Sequence, residues 1–101
     1  MKEESVKYIL EYTVQFIEDV KAHKKTGQKS ILSKINNLID EIQKHPTSGT
    51  GKPEALRGNR KGQWSRRITK EHRLIYEIHE NIITVVMSGV YHLSSKTFSP
   101  T

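Results

Sequence analysis

Glu54 is the only acid between Glu41 and Glu71, and it sits between Lys52 and Arg57. A carboxylate among cations is ordinarily a surface ion-pair partner. Its chemical alternative is a general base held where a phosphodiester docks, which needs an acid to complete the pair. His92 is of the right type, since it closes the apolar run that begins at Ile82. A histidine at a strand end either points into a cleft or is an ordinary surface residue. Arg67 and Arg73 flank a short connection between two alternating segments, so a hairpin would bring both to one end of a strand pair. Guanidinium groups there clamp a phosphate or stabilise charge developing on its oxygens, with or without catalysis. Trp64, Tyr76 and Tyr91 carry rings able to stack on bases, although their alternating positions suit core packing better.

These residues lie in the most unevenly charged part of the chain. The 101 residues carry a formal charge of +6, of which residues 1–50 hold +1 and residues 51–101 hold +5. All the arginines, Arg57, Arg60, Arg66, Arg67 and Arg73, fall in one segment with Lys52, Lys61 and Lys70, opposed only by Glu54 and Glu71. Such a cluster is the footprint of a polyanion, because each neutralised phosphate releases condensed counterions. Lys52, Arg57, Arg66 and Arg67 are therefore the candidate phosphate ligands. The alternative is a solvated basic face that only keeps the protein in solution.

Several chemistries are excluded by what the chain lacks. Without cysteine there are no disulfides, thiolate metal sites or cysteine nucleophiles, which fits a reducing compartment. The five histidines, His23, His45, His72, His79 and His92, show no paired zinc spacing, and no metal or cofactor is expected. Gly49, Gly51, Gly58 and Gly62 match neither the dinucleotide fingerprint nor the Walker loop. Apolar runs such as Val85–Met87 are far shorter than the ~20 residues of a membrane span, and Met1-Lys2-Glu3-Glu4 does not begin a signal peptide. The expectation is a soluble cytoplasmic protein of one domain, with residues 94–101 as a frayed tail.

The elements that must position the candidates follow from periodicity. Tyr8, Leu10, Tyr12, Val14 and Phe16 alternate with polar residues and predict a half-buried strand over 8–16. A short helix over 18–25 is predicted next, with Glu18 and Asp19 at its positive end and Thr26-Gly27 as its stop. Ile31, Leu32, Ile35, Leu38, Ile39 and Ile42 recur at helical spacing and predict a helix over 29–44, ended by the loop His45–Gly51. Period two then returns over 64–68, 72–79 and 82–91, separated by turns at Thr69–Glu71 and Glu80-Asn81. The predicted class is α+β: a strand, two helices, then a mainly antiparallel meander of three or four strands, with the helices on one sheet face.

The segments Lys52-Pro53-Glu54-Ala55-Leu56, Gly62-Gln63-Trp64-Ser65-Arg66-Arg67-Ile68, Glu71-His72-Arg73-Leu74-Ile75-Tyr76 and Val90-Tyr91-His92 together resemble the YoeB (Txe) group of the RelE toxin superfamily. That resemblance implies a microbial-ribonuclease-type fold and a type II toxin that cleaves mRNA in the ribosomal A site without a metal. It places the general base on Glu54, the phosphate-stabilising arginine on Arg73, the general acid on His92 and a further active-site arginine on Arg67, with Lys52 and Arg57 as basic positions around them. It implies an acidic YefM/Phd-like antitoxin as partner and admits a homodimer. The family's terminal tyrosine is replaced by Leu93. Two other readings stand beside the nuclease: a ParE-like toxin that inhibits gyrase and cuts nothing, and a non-catalytic RNA-binding module.

Overall fold

A computed structural model describes residues 8–90. Tyr91, His92, Leu93 and the proposed tail 94–101 lie outside the described residues. Strand β1 (Ile9–Tyr12) leads into helices α1 (Val14–Lys25) and α2 (Lys29–Lys44), followed by β2 (Glu54–Ala55), a 3-10 turn at Gly58–Arg60, and strands β3 (Gln63–Arg67), β4 (His72–His79) and β5 (Ile82–Val90). The five strands form one mixed sheet in the order β1-β5-β4-β3-β2, with β1 parallel to β5 and every other pair antiparallel. The class is α+β, as the element order predicts, and the meander has four strands.

The first element departs from its prediction. The alternation over 8–16 breaks at Thr13, whose hydroxyl accepts from Phe16 N (3.0 Å) and donates to Val86 O (2.6 Å). That is an N-cap, and it converts the second half of the expected strand into the first turn of α1. The period was ambiguous because Tyr12 and Phe16 are also i and i+4, and their rings stack at 5.4 Å. Val14, assigned by alternation to the buried side, is instead 75% exposed. Glu18 and Asp19 consequently lie inside the helix, and its first turn holds no acid. Asp19 has a tertiary role: Oδ2 accepts from Ser88 N at 2.8 Å and ties α1 to β5.

Helix α2 has its predicted bounds, Lys29–Lys44. Ile31, Ile35, Leu38 and Ile42 form its buried stripe and meet Phe16, Leu74, Tyr76, Ile83 and Val85 in one core cluster. Burying an aliphatic side chain of this size contributes about 1.5–3 kcal/mol each. The helices therefore cover the sheet face that carries Leu74 and Tyr76. A bulge helps β5 serve that face. Ile75 pairs with Met87 while Tyr76 pairs with Val85, so Val86 is one residue extra. Val85 and Ser88 can then both face the helices although three positions apart. Among the described residues no helix lies on the other sheet face, which by strand alternation receives Ser65, Arg67, Arg73, Ile75 and Glu54; Ser65 and Ile75 are fully buried there, while Glu54 and Arg67 are exposed.

Candidate active site

Three adjacent strands supply the site. β2 is only two residues long, and pairing sets Glu54 opposite Ser65 on β3 and Arg67 opposite Arg73 on β4. Residues opposed in antiparallel strands share a face, and Ser65 and Arg67 are two apart. Glu54, Ser65, Arg67 and Arg73 are thus brought together on the face turned away from the helices. The hairpin that faces the two arginines is closed by Ile68 N and Thr69 N donating to His72 O, at 2.8 and 3.2 Å. Thr69 Oγ1 fastens it further by accepting from His72 N and Glu71 N.

Arg73 Nη1 donates to Ser65 Oγ at 3.1 Å and lies 3.8 Å from Glu54 Oε1. The Arg73 side chain is 13% exposed and that of Glu54 is 54% exposed. One end of the guanidinium is therefore anchored to the sheet, while its other nitrogens have no hydrogen bond among the described residues. Glu54 is in ion-pair range but not locked, so its carboxylate remains open to a proton donor. Arg67 is exposed, and its backbone N–H donates to Gly51 O at 2.7 Å. That bond carries the incoming loop to the strand. Lys52, held at φ +51°, and Arg57 are exposed on either side of β2. This arrangement can accept an anion between two guanidiniums and hold a carboxylate at its edge.

Arg66 does not belong to that surface. Its side chain is fully buried, and all its N–H groups find acceptors inside the protein. Nη1 donates to Glu41 Oε1 and Thr50 O, Nη2 to His45 O and Ser48 O, and Nε to the Tyr76 hydroxyl. A guanidinium has five donors, and here five acceptors use them. The expectation that Arg66 binds phosphate is corrected on that ground. It points to the opposite face from its neighbours Ser65 and Arg67, which alternation alone indicates. Tyr76 is buried, its hydroxyl donates to Pro46 O at 2.6 Å, and Trp64 packs against the core. Neither ring is placed to stack on a base. Burial pushes the Tyr76 hydroxyl above its ordinary pKa.

Ser65 is the site residue that sequence reading passed over. Its only signal was period two with Arg67, which puts its hydroxyl on the functional face. His92 lies outside the described residues; β5 is described to Gly89 and Val90, the register partners of Arg73 and His72. Among the described residues, no group of three histidines or acids could hold a metal, and no helix is long and apolar enough to cross a membrane.

The model of the YoeB-like toxin of bacterial type II toxin–antitoxin systems matches residues 12–93. The chain belongs to this family. Toxin YoeB of Escherichia coli K12 is 47% identical over 57 residues, spanning 56% of this chain and 68% of that protein. Among solved structures, the YoeB dimer from Staphylococcus aureus superposes with a TM-score of 0.74 at 36% identity, covering 85% of this chain and 98% of its own. The YoeB-YefM complex from the same organism gives 0.74 at 34% identity, covering 84% and 98%. This YoeB-family chain thus carries, on the sheet face turned away from its helices, the carboxylate and the two arginines that the motifs single out.

Proposed function

We propose that the protein is a ribosome-dependent mRNA endoribonuclease, and that the open face of β2, β3 and β4 is its active site. The observation that carries this reading is the Glu54–Arg73 pair: a half-exposed carboxylate 3.8 Å from a guanidinium anchored at one end. RNA supplies its own nucleophile, so the enzyme must remove one proton, stabilise one phosphorane and return one proton. Glu54 takes the 2′-hydroxyl proton as the 2′-oxygen attacks phosphorus. Arg73 and Arg67 hold the non-bridging oxygens as negative charge grows on them. The P–O5′ bond breaks and His92 protonates the departing 5′-oxygen. The products are a 2′,3′-cyclic phosphate and a 5′-hydroxyl, with Lys52 and Arg57 steering the strand. The proposed location is the cytoplasm, where translating ribosomes present the message.

A toxin of this kind requires restraint. An acidic antitoxin of the YefM/Phd type complements the +6 surface, in keeping with the YefM complex of the staphylococcal relative. The related dimer makes self-association a further proposal for this chain.

The test is cleavage of a programmed message on ribosomes by wild type, Glu54→Gln and His92→Gln, with the ends of the fragments analysed. Each substitution is expected to slow cleavage about 10²–10⁴-fold, and the upstream fragment is expected to end in a cyclic phosphate. A 3′-hydroxyl end, or equal toxicity from all three proteins with the message intact, contradicts the reading.

A further inference from the structure

A two-residue strand at a sheet edge is a poor support for a catalytic carboxylate. β2 pairs with β3 only through Glu54 and Ala55, and edge strands this short gain little from their own hydrogen bonds. What holds Glu54 in place must therefore lie in the chain on either side. On the downstream side, Leu56 is buried and its N–H donates to Gln63 O at 2.9 Å. On the upstream side is the loop His45–Gly51, and the main support there is Arg66.

The guanidinium of Arg66 collects three loop carbonyls, from His45 (2.6 Å), Ser48 (2.8 Å) and Thr50 (3.1 Å). Tyr76 takes a fourth, from Pro46. Glu41, on the last turns of α2, accepts from Arg66 at 2.9 Å and from Thr50 N at 2.9 Å, joining helix, loop and sheet through one carboxylate. The loop is packed down accordingly. A Cβ at Gly49 would sit 2.7 Å from the Glu41 carboxyl group, and one at Gly51 would sit 3.0 Å from Arg67 O, with both glycines at positive φ. Immediately after this anchored loop the chain runs Lys52-Pro53-Glu54. The buried cation thus fixes the point from which the exposed carboxylate is launched.

We propose that Arg66, with Glu41 and Tyr76, is the positioning residue for Glu54: it seats the 45–51 loop and so sets the general base against Arg73. This rests on the nuclease reading. Arg66 is saturated by its five internal acceptors and touches no substrate, so it acts on the chemical step through Glu54 and on RNA binding only through Lys52, a single rim contact. Tyr76→Phe is the cleanest probe. It removes the hydroxyl that links Arg66 to Pro46 while keeping the buried ring, and Glu41→Gln is a second probe that keeps an acceptor and removes the charge.

The experiment measures ribosome-coupled cleavage by wild type, Tyr76→Phe and Glu41→Gln, each also combined with Glu54→Gln, together with amide exchange over residues 45–53. For Tyr76→Phe the expected result is roughly tenfold faster loop exchange, as from one lost hydrogen bond, and a kcat lowered several-fold to tenfold with KM within about twofold. In the Glu54→Gln background the same change is expected to cost nothing further, because the group it positions is already absent. Equal losses in both backgrounds, or an unchanged kcat despite faster loop exchange, overturn the positioning role alone. A wild type that cuts no RNA overturns the nuclease reading and the positioning role with it.

Discussion

Arg66 and Arg73 face each other's strands from opposite sides of one sheet, and their contrast separates the two halves of this molecule. On the helix-covered side, Arg66 is fully buried and every donor is used by Glu41, Tyr76 and three loop carbonyls. On the side turned away from the helices, Arg73 is bound at one end to Ser65 and leans toward a half-exposed Glu54. Residue type is the same; the difference is saturation. A guanidinium whose acceptors are all internal contributes order, and breaking its bonds leaves a buried charge unpaired at a cost of several kcal/mol. A guanidinium with donors to spare is available to a phosphate and stabilises charge that appears only during reaction. The helix packing and the exposed basic residues thus occupy opposite faces of the same three strands.

Disrupting the covered face is expected to give the largest loss of stability. Leu74 lies in the cluster between β4 and the helices and is fully buried, so Leu74→Ala should lower unfolding free energy by about 2–5 kcal/mol, read by denaturant titration. Its cleavage rate should fall only in proportion to the folded fraction. A rate lowered about 10²-fold or more while the protein remains fully folded, the size of loss expected from the substrate-facing groups themselves, would mean that the two faces are not separable in this way.

A smaller effect sharpens the same division through pH. The Glu41 carboxyl is held below its ordinary pKa, chiefly by the hydrogen bond from Thr50 N and then by the Thr50 hydroxyl and Arg66, against an opposing effect of burial. A carboxyl whose folded pKa is depressed contributes stability above its unfolded value of about 4.3 and loses it as pH falls through the lower folded value. Wild type should therefore lose stability on acidification through and below that point. Glu41→Gln should be less stable at neutral pH and show a shallower acid slope in melting experiments. Glu77 is shifted the same way, mainly by the hydrogen bond from Gln63 and then that from His79, so part of the slope should survive in the Glu41 variant.

The smallest effect is expected at the rim of the open face. Lys52→Ala should leave the melting temperature unchanged and reduce the salt dependence of RNA binding by about 0.7 in the slope of log K against log salt, the loss of one single-strand phosphate contact. An unchanged slope would remove Lys52 from the strand's path.

Most of this arrangement is legible in the amino-acid sequence, and the exceptions have physical causes. Helix α2 is legible to the residue because six apolar positions keep one helical stripe and Pro46 ends it. The β4 strand and its flanking turns are equally clear, since period two has no competing reading there. The boundary between β1 and α1 is not legible, because Tyr12 and Phe16 satisfy a strand period and a helical i, i+4 spacing at once, and only the Thr13 cap decides between them. In the site, the Arg67–Arg73 juxtaposition follows from the hairpin. Charge density alone groups Arg66 with the phosphate ligands, because it ignores which face a residue occupies. Its partner Glu41 lies 25 residues away, and nothing local in the chain announces that pairing. Ser65 is not legible as a site residue, because a serine between large residues carries no compositional signal.

The central claim is that the sheet face turned away from the helices carries the groups that act on RNA, and Arg73 tests it most directly. We would measure the single-turnover rate of ribosome-coupled cleavage for Arg73→Met beside its melting temperature. The account predicts a rate lowered about 10²–10³-fold, the usual loss on removing one preorganised charge stabiliser, with a melting temperature within about 8 °C of wild type, the shift worth roughly 1 kcal/mol in a domain of this size. Cleavage at the wild-type rate by the folded variant would contradict it.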